Sequence, residues 1–531
     1  MSFPVDDPRA FVAAYESTLR PMRQRHGDVY WRFALSGDTA HQAELETIEG
    51  EMSQLHADEA AYGALDRWAA QGTDDALLAR QIALLLPEFR RGQAPEALRL
   101  RIIKLGLETE ETFTTFRPVV GGRRMASNEM DRELLVSNSD ARRREVWEAT
   151  RAIGRHARGS VVELAQLRNE VASFLGYSDY FTMELADQEM EPEELFGVLD
   201  DLRRDTDGPW ARHKAELDAE MAEARGKRAE DLMPWDYTDR FLQSVPRRDP
   251  GRGTDAWFPL AAIKKNTHGF FRGVGLPVER LWRAADLLPR DGKSPHAFCI
   301  GIDNPGDVRV LCNLDSTARW METTLHEFGH AVYNAGIDDG LPWLLRDAAH
   351  TFITEAVAMF FGRMVKTAPW LREVAGVPHE LAAKAQEDLR EAQLVFARWA
   401  LLVTYFERAM YADPTQDLES RWWELASRLQ GLTRPPGWDG PDWASKVHVA
   451  CYPAYYQNYL LGELLASQFQ AALVQRTGQD MADPSFVGRK EVGDFFGGLF
   501  AAGQRQRWDD TVVAHTGQAL TSRHWVQQFA S

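Results

Sequence analysis

The stretch Thr323 to Val332, TTLHEFGHAV, limits what this chain can be more tightly than any other part of it. It contains His326-Glu327-Phe328-Gly329-His330. On an α-helix, residues four apart lie one above the other on the same face. At ~1.5 Å rise per residue His326 and His330 are about 6 Å apart along the axis. Two imidazole nitrogens so placed can hold one Zn²⁺ at ~2.0–2.1 Å each. Glu327 stands about 100° round from His326 and can lean over the metal without binding it. There it can take a proton from bound water, whose pKa zinc lowers towards ~7.

The flanks read as helix. Met321, Leu325, Phe328 and Val332 recur at i, i+4, i+7 and i+11, an apolar stripe beside the histidine face. Asp315, Ser316 and Thr317 offer an N-cap, and Gly336 a stop. A third ligand is expected downstream. TFITEAVAMFFG, residues 351–362, is apolar nearly all round and reads as a buried helix whose one charged residue is Glu355. A carboxylate there needs an arginine, such as Arg346 or Arg363, or a metal. Its position 25 residues after His330 favours a His₂Glu site: one Zn²⁺ held by His326, His330 and Glu355, with Glu327 as general base and the fourth position open.

Net charge is −18 over 531 residues, which argues against nucleic acid or an anionic membrane as the main partner. Three cysteines, Cys299, Cys312 and Cys451, make no disulfide framework, although the first two could meet across a hairpin. The N-terminus lacks a basic region followed by an apolar core, and no run approaches ~18 apolar residues. The expected location is cytoplasmic. Oligomeric state is not legible.

The patterning is that of an all-α protein. Residues 7–35 carry Phe11, Tyr15, Leu19, Met22, Val29, Trp31 and Phe33 on an apolar side, and helical runs continue to about residue 116 and again from Ser139 to Gly176. SVPRRDPGRGTDA, 244–256, is the clearest loop, and LTRPPGWDGPDWA, 432–444, a second break. The best strand signal precedes the zinc helix: HAFCIGI (296–302) and VRVLCNL (308–314) flank the turn cluster DNPGD. An edge strand beside the metal could pair with an extended peptide.

KVHVACYPAYYQNYLLGELLASQ, 446–468, is the other informative stretch. In an extended segment Lys446 and His448 would face one side. Pro453 suits a first helical turn, and Tyr452, Tyr455, Tyr456 and Tyr459 follow at helical spacing. The tyrosines read either as an aromatic core stripe or as a phenol face with one cation and one imidazole. Tyr and His⁺ can donate to a developing oxyanion, and Lys can pair with a peptide's C-terminal carboxylate.

With these residues in view the chain resembles the angiotensin-converting-enzyme family of zinc dipeptidyl carboxypeptidases, and more distantly the thimet oligopeptidase family. The likeness runs from FVAAYESTLRPMRQRHGDVYWRFALSGD through RREVWEATRAIG and the hairpin to HEFGHAV, HTFITEAVAMFFGR and KVHVACYPAYYQNYLLGE. The resemblance implies one peptidase domain over 1–531, an elongated helical fold of two halves flanking a deep central channel, with zinc at its floor. It implies His326, His330 and Glu355 as ligands and Glu327 as base and later acid. His296 and Ala297, at the family's hairpin motif, would hold the substrate backbone. Lys446 would bind the substrate carboxylate and His448 stabilise the transition state. Tyr456 and Tyr459 match the family's tyrosine pair if one residue is inserted after His448; Tyr452 with Tyr455 is the other pairing.

Three departures follow from the same comparison. The family's chloride-ligating arginine is Asn458 here, so chloride activation is doubtful. The family's Asp four residues after the glutamate ligand is Met359, so support for a zinc histidine must come from elsewhere. The glutamine that helps grip the substrate carboxylate has no counterpart near LMPWDYTDRF. The implied activity is hydrolysis of short peptides with release of C-terminal dipeptides. An endo-acting oligopeptidase, a one-residue carboxypeptidase and, from another class, a catalytically silent peptide-binding protein are the alternatives.

Overall fold

The structure, a computed structural model, describes residues 3–125, 127–246 and 253–530. Helices carry most of it, and the sheets among the described residues are two antiparallel pairs. The all-α expectation holds. The first helix, Pro8–Ser36, shows why local chemistry suffices: Asp7 accepts from the Arg9 N–H, Pro8 takes the first helical position, and Gly37, at φ 65°, ends it. Phe11, Tyr15 and Leu19 point one way and are buried, each large side chain contributing roughly 1.5–3 kcal/mol. The run from Thr39 to Gly72 is two helices, Thr39–His56 and Glu59–Gln71, because Asp58 caps a new start. The 139–176 run is one helix, Asp140–Phe174.

The chain forms two compact units, each threaded by three stretches. The first comprises Met1–Gln93, Gly253–Gln386 and Gly462–Thr521; the second Ala94–Arg252, Glu387–Leu461 and Ser522–Ser531. The division at 252/253 falls in the loop expected at 244–256, of which 247–252 lie outside the described residues.

In the first unit, Phe11, Tyr15, Trp68 and Phe89 form one aromatic core. The expected hairpin is present, as Phe298–Asp303 paired with Asp307–Leu311. It is shorter than the sequence suggests. Phe298 pairs with Leu311, and the next residue out, Cys312, gives its N–H to the Asp286 carbonyl instead. His296 and Ala297 therefore precede the strand. The register also sets Cys299 opposite Val310 rather than Cys312, and all three cysteines are free thiols. Lys293, with its side chain buried, donates to the carbonyls of Leu288 (2.8 Å) and Cys312 (2.5 Å) and to Asp286 Oδ1 (2.7 Å), tying down the hairpin's exit. Arg20 to Asp303 and Arg309 to Asp28 fasten the hairpin to the first helix.

The second unit holds a small hairpin the sequence reading passed over. Val119–Val120 pairs with Arg123–Arg124 around Gly121 and Gly122, both at positive φ; a Gly-Gly pair between two short runs is a turn signal. Buried ion pairs Arg143–Asp236 (2.8 Å) and Arg151–Asp442 (2.9 Å) anchor its irregular segments, including the 432–444 break. No helix among the described residues is long and apolar enough to cross a membrane.

Candidate metal centre and catalytic residues

The HEFGH motif lies on the helix Ala318–Ala335. Of the three cap candidates Thr317 is the cap, accepting from the Trp320 N–H at 3.2 Å. The helix ends before Gly336, as expected. Met321, Leu325, Phe328 and Val332 are buried, which fixes the rotation of the helix and turns His326 and His330 together, ring centroids 4.9 Å apart.

Glu355 comes from the next helix, Thr351–Arg363, started by His350, whose Nδ1 accepts from the Phe352 N–H. Glu355 is 8% exposed, and its Oε2 lies 3.6 Å from His326 Nε2 and 3.8 Å from His330 Nε2. The two alternative arginine partners are engaged elsewhere: Arg363 pairs with Glu463 at 2.5 Å and Arg346 donates to the Leu341 carbonyl at 2.8 Å.

Three glycines permit this approach. A Cβ on Gly329 would stand 2.8 Å from Ala358 Cα, and one on Gly362 would stand 3.2 Å from His326 Cβ. Gly462 gives the same clearance to Glu355, whose Cβ would be 3.1 Å away. The unspecified fourth letter of the motif is thus set by helix packing.

The donor set fits zinc. One atom from each of His326, His330 and Glu355 falls within 4.8 Å of the others. Donors each ~2.0–2.1 Å from a tetrahedral ion lie ~3.3 Å apart, close to the carboxylate-to-imidazole distances found. Burial pushes His326 down to about 4 and His330 well below its ordinary value. Both rings are thus the neutral imidazoles that metal binding requires. Thr354 Oγ1 is 2.8 Å from His330 Nδ1, so a hydroxyl partners this ring. Glu327 is 7% exposed on the same helix, and burial, with Glu355 beside it, pushes its carboxyl up to about 8.

The second group of residues lies in the second unit. Lys446 and His448 are not on an extended segment. Val447–Cys451 is a short helix, and Lys446 is its cap, with φ −89° and ψ 113°. A 3₁₀ turn, Asp442–Ser445, leads directly into it. Pro453 is not in a first helical turn either; the helix begins at Tyr456. Tyr456 and Tyr459 then share one face, with ring centroids 5.2 Å and 6.1 Å from His448. Tyr452 is 50% exposed and its hydroxyl donates to Glu110. The ring of Tyr452 is also 6.1 Å from that of His448.

Lys446 Nζ sits between the rings of Trp399 and Tyr456, 5.2 Å and 5.5 Å from their centroids, and donates to Gln243 Oε1 at 2.9 Å. Burial lowers its pKa to about 8. Gln243 was not singled out from the sequence. It lies six residues beyond Tyr237, in irregular backbone with no periodicity to mark it. Asn458 is buried, and its amide donates to Gln188 Oε1 at 3.1 Å. His296 is exposed and Ala297 partly so, both in the first unit ahead of the hairpin.

A family profile described as angiotensin-converting enzyme, a peptidase family, matches residues 256–529. The chain belongs to that family. The matched span contains His326, His330 and Glu355, Glu327 and the 446–459 segment. Among curated relatives of the family member, carboxypeptidase 1 of Bacillus subtilis (strain 168) is 25% identical over 271 residues, 44% of this chain and 52% of the relative. Oligopeptidase A of Escherichia coli (strain K12) is 23% identical over 410 residues, 63% of this chain and 59% of the relative. Mitochondrial intermediate peptidase of Sclerotinia sclerotiorum is 26% identical over 305 residues, 49% of this chain and 37% of the relative. The matches thus span between about a third and three fifths of the relatives' own lengths.

Proposed function

We propose that this protein is a zinc peptidase that removes dipeptides from the free C-terminus of short peptides. The observation that carries the reading is the meeting of His326, His330 and Glu355 within 4.8 Å, with Glu327 buried on the same helix. Zinc, when bound, lowers the pKa of water and polarises a carbonyl. Glu327, which a bound cation would hold ionised against its burial, takes the water's proton and returns it to the leaving amine. Thr354 holds His330 in the tautomer that leaves Nε2 free to coordinate.

Lys446, Gln243 and Tyr456 are assigned to the substrate's terminal carboxylate, by their mutual contacts and by the family motif. His448 and Tyr459 are assigned to the oxyanion, and His296 with Ala297 to the substrate backbone. With Asn458 bonded to a neutral amide, turnover is proposed to be independent of chloride.

The test is mass spectrometry of the products of one unblocked peptide and its C-terminal amide. Loss of two residues from the unblocked peptide alone is expected. Internal cuts in both would identify an oligopeptidase, and single-residue steps a one-residue carboxypeptidase. Glu327→Gln should keep zinc and lose nearly all turnover; near-normal turnover in that variant removes Glu327 from the base role.

A further inference from the structure

The turn between the His448 helix and the Tyr456 helix is gripped by a buried acid. Ala454 is 1% exposed and adopts φ 52°, a left-handed conformation rarely taken by residues with a Cβ. Such a conformation persists only when its surroundings hold it. Here both peptide groups of Ala454 are held by side chains. Its N–H donates to Glu407 Oε1 at 2.9 Å. Its carbonyl accepts from the Gln457 side chain and, at 3.5 Å, from Gln188. Gln188 is held in turn by Asn458. Glu407 itself is fully buried in the long helix His379–Ala412.

We propose that Glu407 is a positioning residue for the catalytic reading given above: by gripping Ala454 it sets Lys446 and His448, before the turn, against Tyr456 and Tyr459, after it. The inference rests on that reading. A buried carboxyl is costly unless it is hydrogen-bonded, and Glu407 makes its bond, through Oε1, to this turn. Burial pushes Glu407 up to about 8, so at neutral pH it acts through length and an acceptor oxygen rather than through charge. Glutamine reproduces both properties; aspartate keeps the acid and loses about one methylene of reach.

The variants Glu407→Gln and Glu407→Asp therefore separate positioning from charge. Glu407→Gln should stay within threefold of wild type in kcat/KM. Glu407→Asp should fall at least tenfold, with lower kcat and higher KM together, while zinc content is unchanged. A second readout needs no turnover. Trp399 Nε1–H donates to the Tyr456 hydroxyl at 2.5 Å, so the ¹⁹F resonance of 5-fluorotryptophan at Trp399, assigned by Trp399→Phe, reports on the far side of the turn. It should shift or broaden in Glu407→Asp and hold its place in Glu407→Gln. Glu407→Asp within twofold of wild type with an unmoved Trp399 signal overturns the proposal. So does Glu407→Gln being as damaging as Glu407→Asp. If wild type cleaves no peptide, the peptidase reading fails, and the Trp399 resonance alone decides whether Glu407 positions the turn.

Discussion

Thr354 and Lys446 show how single side chains acquire chemistry from their neighbours. Thr354 is one residue before Glu355, and its 2.8 Å contact with His330 Nδ1 marks it out. Losing an outer partner of a metal ligand typically costs ~10–100-fold in affinity. Thr354→Val should weaken zinc binding by that order in a competition titration with a chromophoric chelator; unchanged affinity would show the hydroxyl to be idle. Lys446 is charged below its lowered pKa of about 8 and neutral above it. KM for a peptide with a free carboxylate should therefore rise with pH beyond about 8, towards tenfold per unit, and KM for the amide should not. A flat KM for the unblocked peptide from pH 7 to 10 would remove Lys446 from carboxylate binding. His326 and His330 were legible as a pair because helical spacing alone relates them. Gln243 was not, because it stands 203 positions from Lys446 along the chain.

Elements matter here through how closely they approach. The helices Ala318–Ala335 and Thr351–Arg363 cross where Gly329 meets the Ala358 backbone, and no flexible side-chain end is available to move aside. Overpacking of this kind costs ~1–3 kcal/mol. Gly329→Ala should lower thermal stability by about that much and zinc affinity with it, because Glu355 would be carried away from both imidazoles. Equal zinc affinity in that variant would mean that the helices can part without moving the ligands. Periodicity predicted both helices and their buried faces, since those depend on neighbours three and four residues away. It misjudged the 446–459 segment. The spacing of Lys446 and His448 suggested an extended segment and Pro453 a helix start, whereas Lys446 is a cap and Tyr456 begins the second helix. Buried side chains from distant helices, Glu407 among them, determine that turn.

Across the whole molecule, metal binding and stability are linked. If zinc binds the folded chain and not the unfolded one, it stabilises by about 2.7 kcal/mol at a free concentration one hundred times Kd. Chelation should lower the first melting transition by several degrees, and readdition of zinc should restore it; a transition indifferent to chelator would mean that the three donors do not hold metal. By itself the sequence determined an all-α chain, the two helices that carry His326, His330, Glu327 and Glu355, and the hairpin ahead of them. Each follows from residue spacing within one element and from the cost of leaving apolar side chains in water. The tertiary structure alone decided that Glu355 faces the imidazoles while Arg363 turns to Glu463, that Thr354 stands against His330, and that Gln243 reaches Lys446. These are contacts between segments far apart in the chain, chosen by shape and by the need of buried polar groups for partners, and no local pattern encodes them.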